Sequence, residues 1–123
     1  MSRFHPVVRA DEIPPGTGKT VLVDGRKVAL FNVGGRFHAI DDRCPHAGGS
    51  LGEGILDGCV VTCPYHFWQF DVRRGCAPEF PEATVVRYEV RLENGLVSVS
   101  DSPVADGVVK PGAAPGGKAS PPR

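Results

Sequence analysis

Two short runs hold the residues most able to do chemistry in this chain, Cys44-Pro45-His46 and Cys63-Pro64-Tyr65-His66, with sixteen residues between them. Each offers one soft thiolate and one imidazole from a tight loop that contains proline. Together they present two sulfur and two nitrogen donors, enough for a metal site. Two chemistries accept that set. A tetrahedral zinc ion takes two cysteines and two histidines, and an iron-sulfur cluster can take cysteines on one iron and histidines on the other. The chain's four cysteines also permit two disulfides, in any of three connectivities, or burial as small apolar side chains.

Spacing separates these readings. Zinc fingers usually draw both cysteines from one knuckle and both histidines from one helix. Here each run supplies one of each, as C-x-H and C-x2-H. Mixed pairs suit two metal centres bridged by sulfide, with the cysteines converging on one and the histidines on the other. The arrangement resembles the Rieske-type 2Fe-2S proteins. The first run continues as Ala47-Gly48-Gly49-Ser50-Leu51-Gly52-Glu53-Gly54, the second as Phe67-Trp68-Gln69-Phe70-Asp71-Val72 and then Arg73-Arg74-Gly75, and both extensions are similar to the family's pattern. The resemblance covers about Phe4 to Asp101. It implies one 2Fe-2S cluster, with Cys44 and Cys63 on one iron and His46 and His66 on the other. It also implies that the glycines let backbone amides approach the cluster and point at its sulfides. Where many relatives have glycine after the second histidine, this chain has Phe67, which affects the loop's backbone or the cover over the cluster and removes no ligand.

Cys59 and Cys76 fall outside the motif and receive no role. If the segment from Cys59 to Cys63 is extended, residues 59, 61 and 63 face one way, so Cys59 is expected to pack near the cluster strand. His5 and His38 lack a partner at ligand spacing and read as surface or sheet residues.

The segments that must hold these loops read as short strands: Phe4 to Arg9, Thr20 to Val23, Lys27 to Asn32, Arg36 to Ile40, Cys59 to Thr62, Gln69 to Val72, Val85 to Leu92 and Leu96 to Ser100. Asp24-Gly25, Gly34-Gly35 and Asn94-Gly95 are hairpin turns, because these residues tolerate positive φ. Val86, Tyr88, Val90 and Leu92 alternate with Arg87, Glu89, Arg91 and Glu93, the period of a half-buried strand. No long helical stripe competes. The fold class is therefore all-β, an antiparallel sandwich or barrel. The resemblance sharpens this to a Rieske fold over residues 1–101, a β base with a small cluster-binding subdomain inserted at about 43–80. Residues 102–123, rich in proline, glycine and alanine, cannot bury enough apolar surface to offset their ordering entropy and are expected to form a flexible tail.

With 123 residues and 41% hydrophobic content, the chain can build one core and has little room for a second catalytic domain. Its 14 basic and 14 acidic residues cancel, so no global field favours nucleic acid or an anionic membrane. No segment approaches the length of a membrane span, and the start Met1-Ser2-Arg3-Phe4-His5-Pro6 lacks a signal peptide's apolar region, so a cytoplasmic location is expected.

Two thiolates in place of four leave the oxidised cluster less negative and raise its potential, within a Rieske range of roughly −150 to +300 mV. High-potential relatives add a disulfide between the loops and hydroxyl side chains bonded to sulfur. At the matching positions stand Gly49 and Tyr65 for the cysteines, and Trp68 and Phe70 for the hydroxyls. The resemblance therefore implies a low-potential carrier like the ferredoxins of ring-hydroxylating dioxygenases, with the histidines near the tip as the electron's exit. Tyr65, Phe67, Trp68 and Phe70 either shield the cluster and rim a docking face or pack in the core. The chain shows no dinucleotide fingerprint and no second metal motif, so it reads as an electron-transfer component and not an enzyme. Its implied partners are a flavin-containing NAD(P)H reductase and a terminal oxygenase. Three alternatives stand beside this: the small subunit of an NAD(P)H-dependent nitrite reductase, partnered by that enzyme's large subunit; a component of a multicomponent monooxygenase in place of a dioxygenase; and a zinc-stabilised interaction module.

Overall fold

Val28-Ala29-Leu30-Phe31 has no polar alternation, as expected of a strand covered on both faces. In the computed structural model, which describes residues 3–44, 49–64, 68–80 and 82–104, these four residues are fully buried. They lie in β3 (Arg26–Val33), between β2 (Thr17–Val23) and β4 (Arg36–Asp41). With β1 (Phe4–Arg9), β8 (Arg87–Glu93) and β9 (Leu96–Pro103) they form a six-stranded antiparallel sheet in the order β1-β9-β8-β4-β3-β2. The edge strands β1 and β2 touch, so the sheet nearly closes on itself. Asp24-Gly25 and Asn94-Gly95 make the tight hairpins β2–β3 and β8–β9, each with both residues at positive φ (52° and 81°, 54° and 77°).

The two faces of β3 serve two cores. Val28 and Leu30 pack inside the large sheet with Ile13, Val21, Val23, Ala39, Tyr88, Val97 and Val99. Ala29 and Phe31 face outward into a second core with Ile40, Cys44, Leu51, Val61, Cys63, Phe70 and Val72. That second core joins the large sheet to a three-stranded antiparallel sheet made of β5 (Ile55–Asp57), β6 (Val60–Thr62) and β7 (Gln69–Asp71). The small sheet is inserted between β4 and β8, which pair with each other through Ala39 with Tyr88 and Ile40 with Arg87. Burial of Phe31 and Phe70 alone contributes about 1.5–3 kcal/mol each.

Several expectations shift at their edges. β5 was not foreseen, because three residues between Gly54 and Gly58 are too few to display alternation. Leu92 is 51% exposed, since β8 ends in a hairpin tip that projects past the core. β9 continues to Pro103, two residues beyond Asp101, because Pro103 pairs with Tyr88 and the Val104 amide donates to the Arg87 carbonyl at 2.8 Å. Residues 102 and 103, expected to begin the flexible tail of 102–123, are thus strand, and the part of that tail from residue 105 lies outside the described residues. Among the described residues, no helix is long and apolar enough to cross a membrane.

Candidate metal centre

The two ligand runs leave the β framework in the same way. After β4, Arg43 bridges Ser50 in antiparallel register, and between these two residues the Cys44 amide donates to the Gly49 carbonyl at 2.9 Å. Between β6 and β7, Thr62 pairs with Gln69, and the Cys63 amide donates to the Trp68 carbonyl at 2.7 Å. Each excursion therefore runs six residues, opens on a cysteine and is closed by a bond from that cysteine to the residue five places on. The loops match in length and closure although their histidines stand third in one and fourth in the other. His46 and His66 themselves, with Tyr65 and Phe67, lie outside the described residues, and among the described residues there is no cluster of three or more metal-ligating side chains.

Cys44 and Cys63 are both fully buried and belong to the same apolar core. None of the four cysteines is in a disulfide. Two buried thiols from separate loops in one apolar core, each followed closely in sequence by a histidine, have the chemistry that the sulfur half of a mixed donor set requires, and they fit a cluster bound by two cysteines and two histidines.

Two of the glycines after the first run, Gly52 and Gly54, act differently from expectation. The Gly52 amide donates to Asp42 Oδ1 at 2.9 Å and the Gly54 amide to the Leu51 carbonyl at 3.0 Å, so neither points at a cluster. They are needed for close packing: a Cβ on Gly52 would meet the Thr20 backbone and Asp42, and one on Gly54 would meet the Thr62 carbonyl. Asp42, which sequence reasoning passed over, is the centre of this packing. Its buried Oδ1 also accepts from the Thr20 hydroxyl at 2.8 Å and the Ser50 hydroxyl at 2.9 Å, while its carbonyl accepts the Leu51 amide at 2.6 Å. The second of two adjacent aspartates, two places before a cysteine, gave no signal of this, because its donors come from β2 and from the far side of the loop.

Beside the second loop, Phe70 is fully buried in the core. Trp68 is half-buried and lies between Phe70 (ring centroids 6.4 Å) and Phe80 (5.9 Å), the latter 53% exposed. Core packing thus accounts for Phe70, while Trp68 and Phe80 carry the aromatic row to the surface.

Cys59 does not join Val61 and Cys63 in the core. It sits in the turn between β5 and β6, half-exposed, with its thiol donating to Asp71 Oδ2 at 3.6 Å. Asp71 also accepts from the Arg73 amide at 2.9 Å and pairs with its guanidinium at 3.3 Å. Burial favours the neutral form of Asp71, but the hydrogen bonds and charge of Arg73, with the Cys59 thiol, outweigh it and hold the carboxyl below its usual range. Cys76 is half-buried and bridges Asp71 and Thr84 through its backbone. His38, half-buried on β4, titrates below its ordinary value through burial and then the nearby Arg73, with Asp71 acting in the opposite direction. His5 on β1 meets Asp101 at 3.0 Å. Both histidines are sheet residues, as expected.

A groove beside the first loop is lined by Arg26, Asp41, Gly49, Ser50 and Tyr88 among others. The Tyr88 hydroxyl donates to Asp41 at 2.7 Å and accepts from Arg26 at 2.9 Å. Burial, then the bond to Asp41, raises the phenol's pKa against the opposing effect of Arg26.

Residues 3–90 match the Rieske 2Fe-2S domain family. The chain is 41% identical over 104 residues to the biphenyl dioxygenase ferredoxin subunit of Pseudomonas sp. (strain KKS102), covering 83% of this chain and 95% of that one. Its fold matches a ferredoxin-sized chain in the solved complex of reduced oxygenase and oxidised ferredoxin of carbazole 1,9a-dioxygenase, with a TM-score of 0.75 and 35% identity over 82% of this chain and 95% of the other. It also matches a chain from Mycobacterium tuberculosis provisionally named as an NADH-dependent nitrite reductase small subunit, with a TM-score of 0.76 and 28% identity over 85% and 99% of the two chains.

Proposed function

The chain belongs to the Rieske 2Fe-2S family, and on that footing we propose that it is the ferredoxin of an aromatic-ring-hydroxylating oxygenase system, taking single electrons from a flavin-containing NAD(P)H reductase to a terminal oxygenase. It is an electron-transfer component and not itself an enzyme, and its cofactor is a single Rieske-type 2Fe-2S cluster. The observation that carries the reading is similarity along nearly the whole of both chains to a dioxygenase ferredoxin subunit. The cofactor removes the zinc-stabilised module from the alternatives.

When bound, the cluster accepts and releases one electron. Cys44 and Cys63 hold one iron in this proposal, and His46 and His66 the other. The burial of both cysteines and the matched closure of their loops support it. Buried thiols keep water from the sulfur side, while the row Phe70, Trp68 and Phe80 covers the flank of the second loop. Gly49 and Trp68 are the residues whose carbonyls close the two loops. They offer neither a disulfide nor a hydroxyl, which supports a potential in the lower part of the family's range.

EPR of the dithionite-reduced protein tests the ligation, since mixed histidine and cysteine ligands lower the average g value relative to an all-cysteine cluster. Redox titration tests the rest, and a midpoint near the upper end of the family range contradicts the assignment. The structural match to the Mycobacterium tuberculosis chain favours a second reading, the small subunit of a nitrite reductase. Co-purification with a large sirohaem-containing subunit would decide for it, and turnover with a reductase and an aromatic-ring oxygenase for the first.

A further inference from the structure

Lys27 and Arg43 line the groove beside the first ligand loop, and Arg26 joins them from the start of β3. The groove encloses about 690 Å³ and borders Gly49 and Ser50, where that loop returns to the framework. Basic and acidic residues cancel over the whole chain, but here three cationic side chains stand against two carboxylates, Asp41 and Asp42. Both carboxylates are engaged by internal donors. Asp41 accepts the Tyr88 hydroxyl at 2.7 Å, and Asp42, buried, accepts Thr20, Ser50 and Gly52. Arg26 is held by its bond to the Tyr88 hydroxyl at 2.9 Å, with its guanidinium carbon 5.7 Å from that ring's centroid. Lys27 and Arg43 are exposed, and neither side chain has an ion pair or hydrogen bond with another described residue. The rim therefore offers positive charge to solvent while the negative charge is turned inward.

We infer that this groove is a docking site for a redox partner protein that presents carboxylates, with Lys27 and Arg43 receiving them beside the fixed guanidinium of Arg26. The inference rests on the carrier role proposed above. Cations in a concave site concentrate an acidic partner there even when the molecule has no net charge to attract it. Electron transfer weakens steeply with distance, and the groove lies at the foot of the first ligand loop. A partner whose acidic segment seats in it is thus held beside the cluster. Charges of this kind set encounter rate and partner choice more than final affinity.

The test uses the reduced holoprotein and two small oxidants of opposite charge. Ferricyanide takes one electron from the cluster and becomes ferrocyanide; hexaamminecobalt(III) is its cationic counterpart. The midpoint potential of each variant is measured so that rates are compared at equal driving force. Lys27→Glu slows the ferricyanide reaction about fivefold to tenfold at low salt and does not slow the cobalt reaction. The difference closes near about 1 M salt, where screening is complete within a few ångströms. Arg36→Glu makes the same change in net charge at the opposite end of the β3–β4 hairpin and leaves both rates near wild type. In turnover with a reductase and an aromatic-ring oxygenase, Lys27→Glu raises the KM for this protein with at least one of them and leaves kcat unchanged. An unchanged ferricyanide rate, or equal effects of Lys27→Glu and Arg36→Glu, overturn the inference. An altered ferricyanide rate with KM unchanged for both proteins also overturns it, since the groove then takes small anions only. If Lys27→Glu loses its iron, Lys27→Gln is read in the same way, with a smaller effect of the same sign. A wild type without a Rieske spectrum, or without turnover in any such pair, would instead refute the carrier role itself.

Discussion

Gly52→Ala places a methyl group where three atoms already stand. The new Cβ would lie 2.8 Å from the Thr20 amide nitrogen and 2.9 Å from Asp42 Oδ1, with the Thr20 hydroxyl closer still. Backbone nitrogen cannot swing aside, so the limb from Ser50 to Glu53 must retreat, and the Gly52 bond to Asp42 lengthens or breaks. Overpacking of this kind costs about 1–3 kcal/mol. Loss of one or two hydrogen bonds adds about 1 kcal/mol each, and the stiffer unfolded chain returns about 0.4–1 kcal/mol. The net loss is about 2–4 kcal/mol, a large share of the roughly 5–15 kcal/mol that holds a domain folded. At about 4 °C per kcal/mol or more, the melting temperature falls by at least about 8 °C. Gly58→Ala is the comparison. Gly58 has φ +63° and nothing within 4 Å of a new Cβ, so this variant meets only the left-handed backbone penalty of about 1–2 kcal/mol. Far-UV circular dichroism gives the melting temperatures at one scan rate, and iron per chain reports the loop. The reasoning fails if Gly52→Ala melts no lower than Gly58→Ala and retains its full iron.

Cys44→Ser and His66→Ala are each expected to abolish the Rieske EPR signal, whereas Cys59→Ser and Cys76→Ser retain it; an unchanged signal in either of the first pair refutes the ligand set. Phe70→Ala empties the core between the two sheets and should cost about 3–5 kcal/mol in urea unfolding, with a value below about 1 kcal/mol contradicting its place there. Asp71 has a folded pKa below its unfolded value, so its stabilisation is complete above the usual carboxylate range and is lost as pH falls through the folded value. Asp71→Asn should therefore flatten the acid side of the stability profile, and an acid limb as steep as wild type counts against the Arg73 pairing.

What could be read from sequence was local. Alternating β8 and the paired turns Asp24-Gly25 and Asn94-Gly95 announced themselves because side-chain period and positive φ are properties of adjacent residues. The ligand runs were visible for the same reason, since donor types and spacing sit within four residues of each other. Asp42 was not, because its meaning depends on Thr20 and Gly52, 22 residues before it and ten after it. The glycines misled through a similar gap. Gly52 and Gly54 were correctly marked as places of close backbone approach, but what approaches is Thr20, Asp42 and the Thr62 carbonyl. Cys59 was placed by strand alternation that stops one residue too soon, in the turn before β6, and this left its thiol to meet Asp71.

The matched loops bear on how such a carrier can be tuned. Each is closed by a main-chain bond, from the Cys44 amide to Gly49 and from the Cys63 amide to Trp68, and a carbonyl accepts that bond whatever side chain its residue bears. A hydroxyl at position 68 could give way to an indole without opening the second loop, since the carbonyl there is unchanged. The indole ring then finds its place on Phe70 and Phe80, adding packing where a donor is missing. Loop closure therefore rests with the backbone and the tuning of potential with side chains. Asp42 is the exception, because there a side-chain oxygen and not a carbonyl anchors the exit limb of the first loop. Substitutions at 68 should consequently alter the potential with little effect on cluster retention, whereas substitutions at 42 that remove the acceptor oxygen should lower retention.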